Sequence, residues 1–260
     1  QRSLLAKIVK NNSGPVLAVL ERAFMKALER KEEPLLSDIY AALQTGPWER
    51  NLAGTVDSVL SELMPYCEGV YSNLLSRPSR IRPFEKQLTT FELGGLSQTK
   101  DLQAIMVSVI AFSLSRQMEE RGVKKVVVID EAWEFFNDPQ SAAFIERLYR
   151  QGRKHNVAIL VLSQNPDEFL KASCSAAMRG NSDWVMALKM ESGHELLSEF
   201  GFTDQAIQTA RGMTMSPRQY AEVLIRHGTK PARIVRVAPS SLEYWMFTTN
   251  AEECKMAETL

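Results

Sequence analysis

Two adjacent carboxylates, Asp130 and Glu131, directly follow a run of large aliphatic residues at 126–129. Such a run is typical of a strand buried in a parallel sheet. Open α/β sheets bind ligands at the carboxyl ends of their strands, so this order predicts two carboxylates at a binding edge. One could hold Mg²⁺ through water, and the other could orient or deprotonate an attacking water. Alternatively, the two acids only favour the first turn of a following helix.

Polar side chains also follow the next aliphatic run, residues 157–162, where Ser163, Gln164 and Asn165 precede Pro166. An amide can donate to a phosphate oxygen and accept from water at the same time. Gln164 is therefore a candidate sensor of a γ-phosphate at the same sheet edge. The alternative is an ordinary exit from the strand ahead of the proline.

Two arginines, Arg150 and Arg153, lie three residues apart between these runs and so share a helix face. A planar guanidinium that reaches a phosphate across a subunit interface would stabilise charge in a transition state. Cations in the last turn of a helix also complement its dipole. Both interpretations stay open, as does the choice between the two arginines.

The pattern beyond residue 83 indicates the elements that must position these side chains. Short β-rich runs alternate with helical patterns, in the order strand 88–93, helix 98–120, strand 123–129, helix to about 154 and strand 157–162. Strands separated by helices imply right-handed βαβ units and a parallel sheet. We expect the strands at 123–129 and 157–162 to be buried on both faces.

Further elements follow the sheet, and a different pattern precedes it. The later elements are a strand at 184–190, a helical stretch at 191–211 and a hairpin with arms 219–226 and 231–237. Before residue 84, apolar residues recur at helical spacing and prolines interrupt them. The sequence therefore predicts an all-helical subdomain at 1–84 and an α/β core at 85–260.

Charge and cysteine content exclude several classes of protein. Lys and Arg together number 31, as do Asp and Glu, so a net charge of zero gives no global electrostatic reason to bind nucleic acid or an anionic membrane. Three widely spaced cysteines without a CxxC pair predict neither a disulfide framework nor a zinc site. The longest uncharged apolar stretch, 102–115, is shorter than the roughly 20 residues of a spanning helix and predicts a buried helix.

The hairpin carries a local group of cations that could touch DNA or an acidic partner, or could form a solvated edge. The residues are Arg226, His227, Lys230, Arg233 and Arg236.

The ordered motifs IDEAW at 129–133, GRKHN at 152–156 and LSQN at 162–165, followed by AAMRGN at 176–181 and a strand, carry a family resemblance. In this order they resemble the TraC branch of the conjugation ATPases of type IV secretion systems, in the HerA/FtsK-like class of P-loop NTPases. The resemblance implies a RecA-like, mostly parallel sheet flanked by helices, with a small all-helical subdomain before it.

The same resemblance implies roles at the Walker B side of an ATP site. Asp130 would direct Mg²⁺ through water, Glu131 would be the catalytic carboxylate, and Gln164 would sense the γ-phosphate. These three residues would thus also bind ATP. Arg150 or Arg153 would be the arginine that acts across a subunit interface.

One family element is missing from the sequence. A phosphate-binding loop needs Gly-x-x-x-x-Gly-Lys-Ser/Thr, because backbone amides cradle the phosphates while the lysine neutralises them. None of the 13 glycines is followed by lysine. We therefore expect the C-terminal part of a longer ATPase, without its Walker A loop and first strand, and no hydrolysis by these 260 residues alone.

The function that the resemblance implies is ATP hydrolysis that powers type IV secretion, either conjugative DNA transfer or pilus assembly. It also implies a hexamer, a cytoplasmic location peripheral to the inner membrane, and contacts with other secretion components, with DNA as a further candidate partner. Two alternatives stay open. One is a HerA- or FtsK-like DNA translocase, and the other is a docking module that does not hydrolyse nucleotide.

Overall fold

The computed structural model describes residues 2–78, 85–96, 98–120, 122–136, 139–248, 250 and 253–254. The chain divides into two compact units, 1–117 and 118–260. The domain boundary predicted after residue 84 falls inside the first unit. The division into an all-helical subdomain at 1–84 and an α/β core at 85–260 stays a prediction.

The first unit is helical. Its helices are α1 (Arg2–Ile8), α2 (Gly14–Arg30), α3 (Leu36–Thr45), α4 (Ala53–Cys67), α5 (Ser72–Leu75) and α6 (Lys100–Met118), the last of which ends at the boundary. Their apolar faces form one core in which Leu20, Leu43 and Leu63 are fully buried. Leu102 and Ile105 bring α6 into the same core. The predicted helices are confirmed, including the one that contains the apolar stretch at 102–115.

The strand predicted at residues 88–93 is wrong. These residues have no regular secondary structure, and a 3₁₀ turn, Gly94–Leu96, links them to α6. A strand needs a neighbour for its backbone hydrogen bonds and an apolar surface to cover its side chains. Leu88 has neither, being 83% exposed. Local β-propensity was therefore not enough to form a strand.

The second unit contains the predicted pair of parallel strands. β1 (Lys125–Ile129) pairs with β2 (Val157–Val161) from Lys125 opposite Val157 to Ile129 opposite Val161. The connection runs through α7 (Trp133–Phe136), α8 (Pro139–Gln151) and a 3₁₀ turn (Gly152–His155). Gly152 allows that turn to lie close to β2, because a Cβ there would come within 3.0 Å of Ile159 Cδ1.

Only one face of this pair is well covered. Ile129 and Val157 are buried, whereas Val126 is 71% exposed and Val128 is 57% exposed. The prediction of strands buried on both faces is therefore wrong for the described residues. Among these residues the sheet has two strands, and α8 packs against β2.

A second, antiparallel sheet follows in the same unit. Its strands are β3 (Trp184–Leu188), β4 (Met215–Ser216), β5 (Tyr220–His227) and β6 (Arg233–Val237), with β5 paired to all three others. The pairing of β5 with β6 confirms the predicted hairpin. The α/β class is confirmed, with the parallel pairing in β1 and β2 and the antiparallel pairing in these four strands.

Short helices complete the second unit. They are α9 (Pro166–Lys171), α10 (Ser175–Asn181), a 3₁₀ helix (His194–Phe200), α11 (Asp204–Arg211) and α12 (Ser241–Phe247). The helical stretch predicted at 191–211 is thus two helices. Gly201, at φ +79°, separates them. Leu197 and Ile207 from these helices pack on Ala187 and Leu224 of the antiparallel sheet.

Candidate functional site

The carboxyl ends of β1 and β2 are held together beyond their regular pairing. Leu162 N donates to Ile129 O at 2.9 Å, and Ala132 N donates to Leu162 O at 3.0 Å. Between these bonds the backbone of Glu131 takes φ +48°, in the left-handed region. Asp130 Oδ1 accepts a hydrogen bond of 3.0 Å from the N–H of Glu131. The chain therefore makes a sharp, hydrogen-bonded turn at the point where the predicted carboxylates stand.

Both oxygens of the Glu131 carboxylate accept hydrogen bonds. Gln164 Nε2 donates to Oε1 at 2.7 Å, and Trp133 Nε1 donates to Oε2 at 2.9 Å. Glu131 and Gln164 are 33 positions apart and come from different strand ends. The structure thus brings together the predicted catalytic carboxylate and the predicted sensor amide.

The contact of Trp133 with Glu131 was not predicted from the sequence. Trp133 belongs to the IDEAW motif, which predicts the end of a strand but no contact of the indole. The sequence does contain one signal for this contact, because an indole N–H follows the carboxylate by two positions. In the structure Trp133 is the first residue of α7 and donates back to Glu131.

Asp130 is exposed, and its one described hydrogen bond is the bond from the N–H of Glu131. Mg²⁺ that binds with a nucleotide keeps several waters and uses one or two protein carboxylates together with phosphate oxygens. No group of three or more acidic, histidine or cysteine side chains that could hold a metal occurs among the described residues. The exposed Asp130 carboxylate is of the kind that such a site uses.

The other polar residues after β2 are used locally. The hydroxyl of Ser163 donates to the Glu168 carboxylate, and Asn165 Oδ1 caps α9 by accepting from Asp167 N at 3.0 Å. Of the three predicted polar side chains, Gln164 alone faces Glu131 among the described contacts.

The two arginines are not brought to Glu131 in the same chain. Arg150 ends α8, and Arg153 lies in the 3₁₀ turn that precedes β2. That turn lies where the strands begin, since Lys125 N donates to Asn156 O at 2.9 Å. A strand of five residues places this edge about 13 Å from the edge that carries Glu131.

The surroundings of the two arginines differ. Arg150 Nε donates to Glu146 Oε1 at 2.8 Å, one turn earlier on α8. Arg153 is exposed, and its side chain has no ion pair or hydrogen bond with any part of the chain that the structure describes. Arg153 is therefore the freer guanidinium of the two.

Two of the basic residues on the hairpin, Arg226 and Arg236, make contacts within the chain. Arg226 Nε donates to Phe200 O at 2.9 Å, which ties β5 to the 3₁₀ helix. Arg236 donates to Glu222 at 3.1 Å and lies 4.2 Å from the centre of the Tyr220 ring. The structure thus accounts for these two without DNA.

The other three basic residues of the hairpin have different surroundings. His227 stacks on Trp184 with 4.1 Å between ring centres. Lys230 and Arg233 are exposed. No described side-chain contact joins these three residues to Asp130 or Glu131.

None of the helices in the described part of the chain combines the length and the apolar character that a bilayer crossing requires.

The chain is similar to known proteins in sequence and in fold. A family described as the TraG P-loop domain matches residues 38–259. Protein TraC of Escherichia coli (strain K12) is 29% identical over 171 residues, which cover 61% of this chain and 20% of TraC. The chain thus spans about a fifth of that relative's length.

A solved structure gives the same fold. VirB4 of Thermoanaerobacter pseudethanolicus superimposes with a TM-score of 0.71 at 20% identity, over 93% of this chain and 68% of VirB4. The similarity at this identity concerns the fold. Because the family match covers most of the 260 residues and includes both strand ends, the chain belongs to the TraG P-loop domain family.

Proposed function

We propose that this chain carries the metal and water side of an ATP-hydrolysing site, and that the whole protein uses this hydrolysis to power type IV secretion, in conjugative DNA transfer or pilus assembly. One observation carries the proposal. In a member of a P-loop family, the Glu131 carboxylate and the Gln164 amide meet at 2.7 Å across the carboxyl ends of two parallel strands.

Each residue at this edge has a distinct role in the proposal. Glu131 orients the attacking water and accepts its proton, since a carboxylate with fixed oxygens can hold a water in line with a phosphate. Gln164 donates from Nε2 to an oxygen of the γ-phosphate. Asp130 holds Mg²⁺ through water, and the ion bound with ATP neutralises charge on the phosphates.

The phosphate cradle is the other half of such a site. No glycine of this sequence is followed by lysine, so we propose that residues outside these 260 supply the cradle. Steady-state phosphate release by the 260-residue protein is then expected to stay at background. Turnover that disappears in Glu131→Gln would contradict this part of the proposal.

The proposed assembly is a ring of six copies, at the cytoplasmic side of the inner membrane and in contact with other secretion components. Arg153 is the better candidate to act on the nucleotide of a neighbouring subunit. Its guanidinium is exposed at the edge of the sheet opposite Glu131, whereas Arg150 already pairs with Glu146.

The decisive experiment uses a form of the protein that includes a phosphate-binding loop. Glu131→Gln is expected to abolish phosphate release while ATP still binds. Glu195→Gln is the matched control, because Glu195 is exposed on the 3₁₀ helix and no described side-chain contact joins it to Asp130, Glu131 or Gln164. Equal activity in both variants would contradict the proposed role of Glu131.

The same measurement separates the alternatives. A DNA translocase should hydrolyse ATP much faster when duplex DNA is added, whereas an assembly motor need not. A docking module should show no turnover even with the phosphate-binding loop present.

A further inference from the structure

Trp133 is placed to control the Glu131 side chain. Its indole Nε1 donates to Oε2 of that carboxylate at 2.9 Å. Trp133 is 40% exposed, so burial of the ring does not by itself account for a tryptophan here. Phenylalanine would cover much of the same apolar surface without the N–H. The feature specific to tryptophan is the hydrogen bond to the carboxylate.

The backbone of Glu131 makes this contact possible. At φ +48° the chain turns sharply after Asp130, in a conformation that residues with a Cβ adopt only at a cost. Trp133 then begins α7 two residues later and reaches back to the side chain of Glu131. Two hydrogen bonds to one carboxylate hold it in a single orientation while the turn holds its backbone.

The two donors grip different oxygens. Gln164 binds Oε1 and Trp133 binds Oε2. The Gln164 amide has two N–H donors, and the one that binds Oε1 is released if the amide turns to a phosphate oxygen. When the amide turns to the phosphate, Oε1 becomes available to water and Trp133 alone still holds the carboxylate.

We infer that Trp133 is a positioning residue, which fixes the Glu131 carboxylate so that Oε1 faces the attacking water; this inference rests on the hydrolysis proposed above. Trp133 acts through Glu131 and has no contact with the nucleotide in this role.

The hydrogen bond is tested first without any ATPase assay. With ¹⁵N-labelled tryptophan, the four tryptophans give four indole N–H signals, and Trp133→Phe identifies the signal of Trp133. Glu131→Ala is expected to move that signal upfield, because the proton loses its carboxylate acceptor. The signal of Trp48, whose Nε1 donates to Leu43 O at 2.7 Å, is the internal control and should not move. A Trp133 signal that stays in place would overturn the inference.

The second test is kinetic, in the form of the protein that includes a phosphate-binding loop. Trp133→Phe should lower kcat on the order of tenfold, the effect of one hydrogen bond to a charged group, and leave KM for ATP unchanged. Trp184→Phe is the matched control, since that indole is exposed on β3 and stacks on His227.

The outcomes separate this inference from the proposed function. If Glu131→Gln hydrolyses ATP normally, Glu131 is not the catalytic carboxylate and the proposed function is wrong at this point. If Glu131→Gln is inactive but Trp133→Phe keeps full kcat, the positioning role of Trp133 is wrong. A change in melting temperature with kcat intact would mean a structural role and would equally overturn the inference.

Discussion

Gln164 and Glu131 are joined by a hydrogen bond of 2.7 Å from Nε2 to Oε1, although 33 positions of sequence separate them. The bond spans the ends of two neighbouring strands and leaves no side chain between the carboxylate and the amide. A group bound at this edge would therefore meet both side chains at once.

Substitution of Asp130 and substitution of Glu131 should have different effects on ATP binding and turnover. In a form of the protein with a phosphate-binding loop, Glu131→Gln should leave ATP affinity nearly intact and stop turnover. Asp130→Asn should weaken Mg²⁺-dependent binding as well, because its carboxylate belongs to the ground-state metal site. Nucleotide affinity and phosphate release in both variants are the measurements. Equal losses of affinity would mean that the two roles are wrongly assigned.

Gln164→Leu should lower kcat on the order of 10²-fold, the effect of losing one donor to charge that develops in a transition state. The folded protein should tolerate the change, since Gln164 is exposed. Gln208→Leu, at an exposed position on α11, is the matched control. Unchanged turnover in Gln164→Leu would mean that Gln164 takes no part in hydrolysis.

Arg153→Ala should cost on the order of 10³-fold in turnover with little change in ATP affinity, as expected for an arginine that acts in trans. Arg150→Ala should cost less, because Arg150 pairs with Glu146 on its own helix. Mixing Arg153→Ala with Glu131→Gln protein should restore activity above that of either variant, since some interfaces then have both groups. If mixed oligomers form and activity does not return, Arg153 is only a helix-terminal cation.

The C-terminal Glu253 should make stability depend on pH. Hydrogen bonds from Tyr244, at 2.5 Å, and from Thr248, at 2.7 Å, together with Arg218, lower the pKa of this carboxyl to about 2. A lowered pKa in the folded state stabilises the fold above the unfolded value of 4.5, and the contribution is lost as pH falls towards 2.

Melting temperatures of the natural protein and of Glu253→Gln test this expectation. The natural protein should melt higher at pH 7, and the difference should shrink between about pH 4.5 and pH 2. Glu195→Gln, at an exposed position, is the control for the loss of a carboxylate as such. A difference for Glu253→Gln that is the same at every pH would mean that its effect is not ionic.

The meeting of Glu131 with Gln164 could be predicted because parallel strands share one edge for their carboxyl ends. The role of Trp133 could not be predicted in the same way. Its contact depends on a left-handed backbone at Glu131, and no glycine marks that position. A sequence shows the strand through its aliphatic residues, but the turn after the strand depends on hydrogen bonds that form only in the fold.

The errors in the fold also have a common physical cause. Leu88 lies in a segment with β-propensity, and Val126 and Val128 are aliphatic residues of the kind found in central strands. All three side chains are nevertheless exposed. Whether such residues pair or become buried depends on strands and helices elsewhere in the protein, which local pattern does not specify. The hairpin of β5 and β6 was easier to predict, because its two arms are adjacent in sequence and joined by a turn that contains Gly228.

Ser163 and Asn165, on either side of Gln164, are both bound to the first turn of α9. Loss of a helix cap such as Asn165 costs about 1 kcal/mol and loosens the chain beside it. A screen for variants that lose the proposed ATP hydrolysis would therefore return positions 163 and 165 together with 164. Their phenotype would mimic an active-site lesion although neither side chain performs chemistry. Suppressors of such variants should map to α9 rather than to the carboxylates.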